Sequence, residues 1–242
     1  MAEFNSTYLA KLFHRPLAVI QNATDSLLLD LVQCAIGKGW SKSTEPAVKA
    51  LPLISEALEN ENKKKVVVVC HSQGTIIMSN VLRALKSIEF KEKLFELHRR
   101  QFPDIALVEP NEYLSGAVKE NLRKLEIFAF ANCATDMTYY DSELSFPFIE
   151  NYGNENDIVA RLGMLAPKKT QEKIDIDGAN YLNADMWGHL LNQHYLFKMH
   201  TYLSNPKAKK NPYTPLGNGE HVPSQPRIYG YYHGAEPEPY LM

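Results

Sequence analysis

The chain has 242 residues, of which 45% are hydrophobic, with 26 basic and 28 acidic side chains; this length is enough for one domain with a sizeable core. The net charge of −2 excludes a basic field for nucleic-acid phosphates, and no apolar run approaches the roughly 20 residues that span a bilayer. The three cysteines are far apart without metal-ligand spacing, and the N-terminus lacks the pattern of a secretory signal. We therefore expect reduced thiols, a cytoplasmic location, and neither a metal nor a cofactor.

The first part of the chain predicts strands and helices in alternation. The apolar run Pro16–Gln21 predicts a strand, and capping residues then precede a helix at 27–36. Apolar residues recur at helical spacing from Pro46 to Leu58. Four consecutive valines before Cys70 predict a strand at Val66–Cys70 that is buried on both faces of a parallel sheet.

The later elements continue this alternation. In chain order we expect helices at 75–85 and 87–100, strands at 125–131 and 146–151, and a helix at 190–203. The pattern predicts one α/β domain at residues 1–204, with a mostly parallel sheet flanked by helices. The segment 205–242 is rich in Pro, Gly and Tyr, which predicts an irregular C-terminal tail.

The most informative motif lies where the valine-rich strand meets the following helix. In the run VVVVCHSQGTII, Ser72 stands at the turn and Gly74 follows two residues later. A serine on a sharp strand-to-helix turn is the nucleophile elbow, in which the hydroxyl is exposed at the sheet edge. Cys70 replaces the first glycine of the usual pattern, so the motif is a variant. The alternative is that Ser72 only caps the helix. The neighbouring His71 is expected to point elsewhere on the turn, so it is not the expected base.

An acid and a base follow Ser72 in the chain order of α/β-hydrolases. Asp157 lies in the loop after a predicted strand, where catalytic groups gather in open α/β sheets, although it is also suited to capping a helix. Asp136 is the reserve acid. His189 follows a glycine at the start of the last helix and is the preferred base; His194, inside that helix, is the reserve and is expected to pack or to bond locally.

The motifs HSQGTII, NENDIVARLGML and WGHLLNQHYL, in this order, resemble the fungal branch of α/β-hydrolase-fold, lipase-like proteins. The resemblance extends over about residues 15 to 203. It implies an α/β-hydrolase-like fold, with Ser72 as nucleophile, Asp157 as acid and His189 as base. It implies the substrate far less well than the fold and the catalytic type.

The chain departs from this family before the elbow. The family usually has two or more strands there, whereas only Pro16–Gln21 is recognisable here, so we expect the sheet to lack the first strands. The backbone N–H of Gln73 is the expected oxyanion donor, and Asn22 is a weak candidate for the second. Tyr139, Met186 and Trp187 lie near predicted strand ends, where they either line an acyl pocket or belong to the core.

These residues favour a serine hydrolase that cleaves a small-molecule carboxylic ester through an acyl-enzyme on Ser72. An acyltransferase or thioesterase of secondary metabolism would use the same triad. The other alternative is a catalytically degenerate α/β-hydrolase-fold binding protein, which the short N-terminal part and Cys70 favour. The oligomeric state is not indicated.

Overall fold

The computed structural model of the protein describes residues 2–20, 44–101, 103, 121–139, 146–167, 174–216 and 222–238. The helix that the sequence predicts at 27–36, and with it Asn22, lies outside the described residues.

The helices that flank the sheet come from four parts of the chain. Their bounds are α1 Ala2–Phe13, α2 Thr44–Glu59, α3 Gln73–Lys86, α4 Ile88–Gln101 and α5 Phe197–Leu203, and a π-helix, Leu191–Leu196, leads directly into α5. The predicted periodicity explains α2, because Val48, Leu51 and Leu58 are all buried along one face. The predicted helix at 190–203 therefore exists, but its first six residues are wound as a π-helix.

Within the described residues the central sheet has five strands, which are numbered in chain order and whose order in the sheet is β1-β2-β4-β6-β7. Their bounds are β1 Val66–His71, β2 Leu125–Phe130, β4 Phe148–Asn154, β6 Ala179–Asn183 and β7 Thr214–Pro215. The first four strands are parallel and β7 is antiparallel to β6. Two short strands, β3 Asp136–Met137 and β5 Asp175–Ile176, pair beside it. The protein therefore has an α/β fold with a mostly parallel sheet and flanking helices.

Alternating side chains of the central strands build a core on each face of the sheet. On one face Ile127 and Ala129 pack with α2, α3 and α4. On the other, Phe128, Phe130 and Tyr152 pack with α1, the π-helix and the C-terminal segment. Because the four parallel strands run in one direction, their carboxyl ends lie along one edge of the sheet, and the loops after them meet there.

Two predictions about the strands were wrong. Residues 15–20 form no strand, and Val19 within this segment is 54% exposed. An apolar run becomes a strand only where a neighbouring backbone pairs with it, and the sequence pattern does not contain that information. The strand β1 exists but is not buried on both faces, because Val67 is 43% exposed. In the described sheet β1 is an edge strand, with a neighbour on one side only.

The segment predicted as an irregular tail packs onto the sheet over much of its described length. Residues 214–215 pair with β6, and Arg227–Gly234 forms a kinked 3₁₀ segment whose Ile228 and Tyr229 are buried. The Arg227 guanidinium donates two hydrogen bonds to the buried carboxylate of Glu126 in β2, at 2.9 and 3.0 Å. The C-terminal segment thus completes the core on the face of the sheet that contains Phe128 and Phe130.

Candidate active site

Ser72 lies at the sharp turn between β1 and α3. Its backbone has φ 56° and ψ −126°, a positive φ that non-glycine residues rarely adopt and that costs on the order of 1–3 kcal/mol. The Ser72 N–H donates to the carbonyl of Phe130 at 3.0 Å, and the Ser72 carbonyl accepts from Thr75, from its N–H at 2.8 Å and its hydroxyl at 2.7 Å. Neighbouring strand and helix therefore hold the turn in this conformation, with the serine at the carboxyl edge of the sheet.

Three side chains from three loops meet at this edge. The Oγ of Ser72 lies 2.9 Å from Nε2 of His189. The Nδ1 of the same imidazole lies 2.9 Å from Oδ2 and 3.2 Å from Oδ1 of Asp157. The serine follows β1, the aspartate follows β4 and the histidine follows β6. The arrangement can transfer a proton from the serine hydroxyl to an imidazole that a carboxylate orients.

Asp157 is 1% exposed and accepts hydrogen bonds from three groups. Besides His189 these are the Val159 N–H, at 2.8 Å, and the Tyr195 hydroxyl, at 2.6 Å. Burial by itself would raise the pKa of Asp157, but the hydrogen bonds and the charge of a protonated His189 outweigh it, and the pKa is lowered from its ordinary value. The carboxylate is therefore ionised at neutral pH, and its two oxygens are fixed by donors on different segments.

The loop that carries His189 is anchored on both sides. Gly188 has φ +99°, and a Cβ atom at this position would lie 2.5 Å from the His194 ring, so this turn requires glycine. The amide Nδ2 of Asn154, at the end of β4, donates to the Gly188 carbonyl at 3.1 Å and to the His194 carbonyl at 3.3 Å. The histidine loop is thus attached to the strand that precedes the aspartate.

The two reserve residues lie in other contacts. Nδ1 of His194 accepts the Leu190 N–H at 2.9 Å, a local bond of the kind expected from the sequence. Asp136 has Oδ2 3.5 Å from Nε of Arg83 and accepts the Thr138 hydroxyl at 2.9 Å. It lines a groove of about 330 Å³ between α3, α4 and β3. Ser72, Asp157 and His189 are not among the residues that line this groove.

The remaining predicted residues have different surroundings. Gln73 is the first residue of α3, at the end where backbone N–H groups are directed toward an incoming anion, whereas Asn22 lies outside the described residues. Tyr139 is buried in the core. Met186 is half-buried and its carbonyl accepts the Asn156 N–H at 2.8 Å; Trp187 is 69% exposed beside the His194 ring.

The sequence reasoning missed Tyr195 and set His71 aside as a base, and both residues contact the candidate site. Tyr195 contacts Asp157 from the π-helix, and its own hydroxyl oxygen accepts the Asn154 N–H at 3.3 Å. His71 donates from Nε2 to the backbone carbonyl of His189 at 2.7 Å. The proximity of His71 to Ser72 in the sequence was a usable signal for His71. For Tyr195 none was available, because a π-helix has no periodicity that the sequence displays.

Within the described ranges, no group of three or more His, Cys, Asp or Glu side chains is arranged to hold a metal ion. Among these residues no helix is long and apolar enough to cross a membrane. No family model, curated protein or solved structure matches the chain.

Proposed function

We propose that the protein is a serine hydrolase that cleaves carboxylic esters through an acyl-enzyme on Ser72. The observation that carries the proposal is the continuous hydrogen-bonded series from Ser72 Oγ through His189 to the buried carboxylate of Asp157. A serine hydroxyl is a poor nucleophile until an oriented base takes its proton, and this geometry supplies that base.

The chemistry divides into two half-reactions. Ser72 Oγ bonds to the ester carbonyl carbon while its proton passes to His189 Nε2. The bond to the alcohol oxygen then breaks, and the leaving alcohol takes that proton. Water next attacks the acyl-enzyme, gives a proton to His189 and releases the acid, while the proton returns to Ser72. The N–H of Gln73 is the proposed donor to the negative oxygen that forms in each half-reaction.

The α/β-hydrolase fold and the resemblance to fungal lipase-like proteins are part of this proposal. Ser72, Asp157 and His189 follow β1, β4 and β6, three of the four parallel strands of the central sheet, and their order in the chain supports the assignment. The proposed location is the cytoplasm, and Cys70 supports it because it is a buried free thiol. The proposed partner is a small-molecule ester.

The first test is labelling with a fluorophosphonate probe, which reacts with an activated serine. We expect the wild-type protein to be labelled at Ser72 and Ser72→Ala to be unlabelled but folded, because the change removes a single oxygen at the edge of the sheet. On short-chain p-nitrophenyl esters, Ser72→Ala should lower kcat on the order of 10⁴-fold or more, about 5 kcal/mol of transition-state stabilisation. A folded wild-type protein that is not labelled would favour the binding-protein alternative.

The matched pair His189→Ala and His194→Ala tests the base. His189→Ala should abolish labelling and turnover, whereas His194→Ala should lower the free energy of unfolding by about 1–3 kcal/mol, since it leaves the Leu190 N–H without its acceptor. Melting curves establish that each variant is folded before its activity is measured. An active His189→Ala protein beside an inactive, folded His194→Ala protein would reverse the assignment. Product analysis with an added alcohol separates hydrolysis from acyl transfer.

A further inference from the structure

A second histidine links the serine turn to the histidine loop. His71, the last residue of β1, directly precedes Ser72. Its Nε2 lies 2.7 Å from the backbone carbonyl oxygen of His189, which has no hydrogen to give, so the imidazole is the donor. The two imidazole rings are in tilted contact, with centroids 4.6 Å apart and an angle of 32° between their planes. Residues that are 118 positions apart in the chain are thus in direct contact.

The bond holds the backbone of the histidine loop between two other attachments. The Asn154 side chain holds the carbonyl of Gly188, and His194 accepts the N–H of Leu190. Between these two, the carbonyl of His189 itself is held by His71. Because Cα of His189 carries the reacting imidazole, a shift of this peptide displaces Nε2 relative to Ser72.

We propose that His71 is a positioning residue, whose Nε2–H fixes the backbone of His189 so that the imidazole of His189 meets the Ser72 hydroxyl. This inference rests on the proposed function. The Ser72 hydroxyl lies 2.9 Å from Nε2 of His189, so His189 receives the serine proton, while Nε2–H of His71 is bonded to the carbonyl of His189. Its contribution is to place the base in line with the nucleophile, where a misplacement of about 1 Å can cost on the order of 10²-fold in rate.

The protonation state of His71 fits this role. Burial, with the nearby His189 as a second cause, lowers the pKa of His71 to about 3, although Asp157 acts in the opposite direction. His71 is therefore neutral at physiological pH, with its single proton on Nε2. When His189 takes up the serine proton, the adjacent ring adds no positive charge that would oppose it.

Two carboxamide variants separate the hydrogen bond from the ring. The Nε2 of glutamine is the same number of bonds from Cβ as the imidazole Nε2, so His71→Gln keeps the donor and removes the ring. His71→Asn has the same polar group one methylene shorter and cannot reach the His189 carbonyl. His71→Phe keeps a ring and has no donor.

The experiment measures the rate constant of fluorophosphonate labelling and the kcat and KM of ester hydrolysis for folded proteins only. We expect His71→Gln to stay within about threefold of wild type, and His71→Asn and His71→Phe to lose about 10- to 100-fold in labelling rate and kcat with KM unchanged. A purely structural role would lower the melting temperatures without this rescue by glutamine.

Each outcome decides the proposal. If wild type is labelled and the Asn and Phe variants match it, His71 has no positioning role, while the proposed function remains. A folded His71→Gln protein that is ten or more times slower than wild type also overturns the inference, even if the other two variants do not fold. If wild type itself is not labelled, the proposed function fails first and this inference fails with it.

Discussion

The buried carboxyl group of Glu150 gives a pH dependence that can be worked out from the structure. Glu150 is fully buried in β4 and accepts the backbone N–H of Arg227 at 2.8 Å, the N–H of Ile228 at 3.4 Å and the hydroxyl of Tyr152. Burial raises its pKa to about 7 from the ordinary 4.5, against the opposing effect of these donors. The perturbation is Glu150→Gln, which keeps an oxygen acceptor and never ionises.

The direction in which pH changes the free energy of unfolding follows from proton binding. Between pH 4.5 and about 7 the folded chain keeps a proton on Glu150 that the unfolded chain has released. The free energy of unfolding therefore rises as the pH falls through this window, and this contribution is lost as the pH rises through about 7. For the wild type, Glu150 contributes about 2 kcal/mol more at pH ~5.5 than at pH ~8. The glutamine variant has no such contribution.

The measurement is urea unfolding of wild type and Glu150→Gln at these two pH values, with Glu92→Gln, an exposed position on α4, as the control. Other titrating groups cancel when the variant is compared with wild type at each pH. We expect the difference in free energy of unfolding between the two proteins to change by about 2 kcal/mol between the two pH values. At the higher pH the variant gains stability relative to the wild type. An identical pH dependence in wild type and Glu150→Gln would refute the reasoning, as would a control that behaves like the variant.

Two further predictions concern the candidate site. Asp157→Asn should slow fluorophosphonate labelling on the order of 10³- to 10⁴-fold, because the imidazole loses its orienting carboxylate, whereas Asp136→Asn should stay near wild type; the opposite ranking would mean that the wrong acid was chosen. Gly188→Ala should lower the free energy of unfolding by at least about 2 kcal/mol, since a Cβ on this positive-φ residue would lie 2.5 Å from the His194 ring. Gly74→Ala is its control in the same denaturation experiment, because there the new Cβ would meet Cys70 at an ordinary 3.6 Å, and an equal loss at both positions would contradict the argument.

The parts of the fold that could be predicted from the sequence are those whose signal is local. The run of valines, the turn at Ser72 and the helical spacing after it lie within one short segment, and β1 and α3 are found there. Asp157 could be selected because it follows a predicted strand, and His189 because it follows a glycine at the start of the last helix; the structure brings both together with the serine.

The features that the sequence patterns did not predict depend on contacts between distant segments. The apolar run Pro16–Gln21 has strand-like residues, but residues 16–20, its described part, have no paired neighbour among the described residues. The C-terminal segment is rich in residues typical of irregular structure, yet its Arg227 donates a hydrogen bond to the buried Glu126, 101 positions away. The contact of Tyr195 with Asp157 depends on a helix whose winding differs from the usual one. Pattern reading along the chain has no access to such partners.

The π-helix at Leu191–Leu196 determines how the segments on either side of it are oriented relative to each other. The Phe197 N–H bonds to the carbonyl of Asn192, five residues back, so this turn contains one residue more than an α-helical turn would. Regular α-helical winding of the same residues would rotate everything downstream by on the order of 100° relative to the histidine loop, whereas the π-helical turn accommodates the extra residue. The π-helix therefore sets the orientation of α5 relative to the histidine loop, and with it the position from which Tyr195 reaches Asp157.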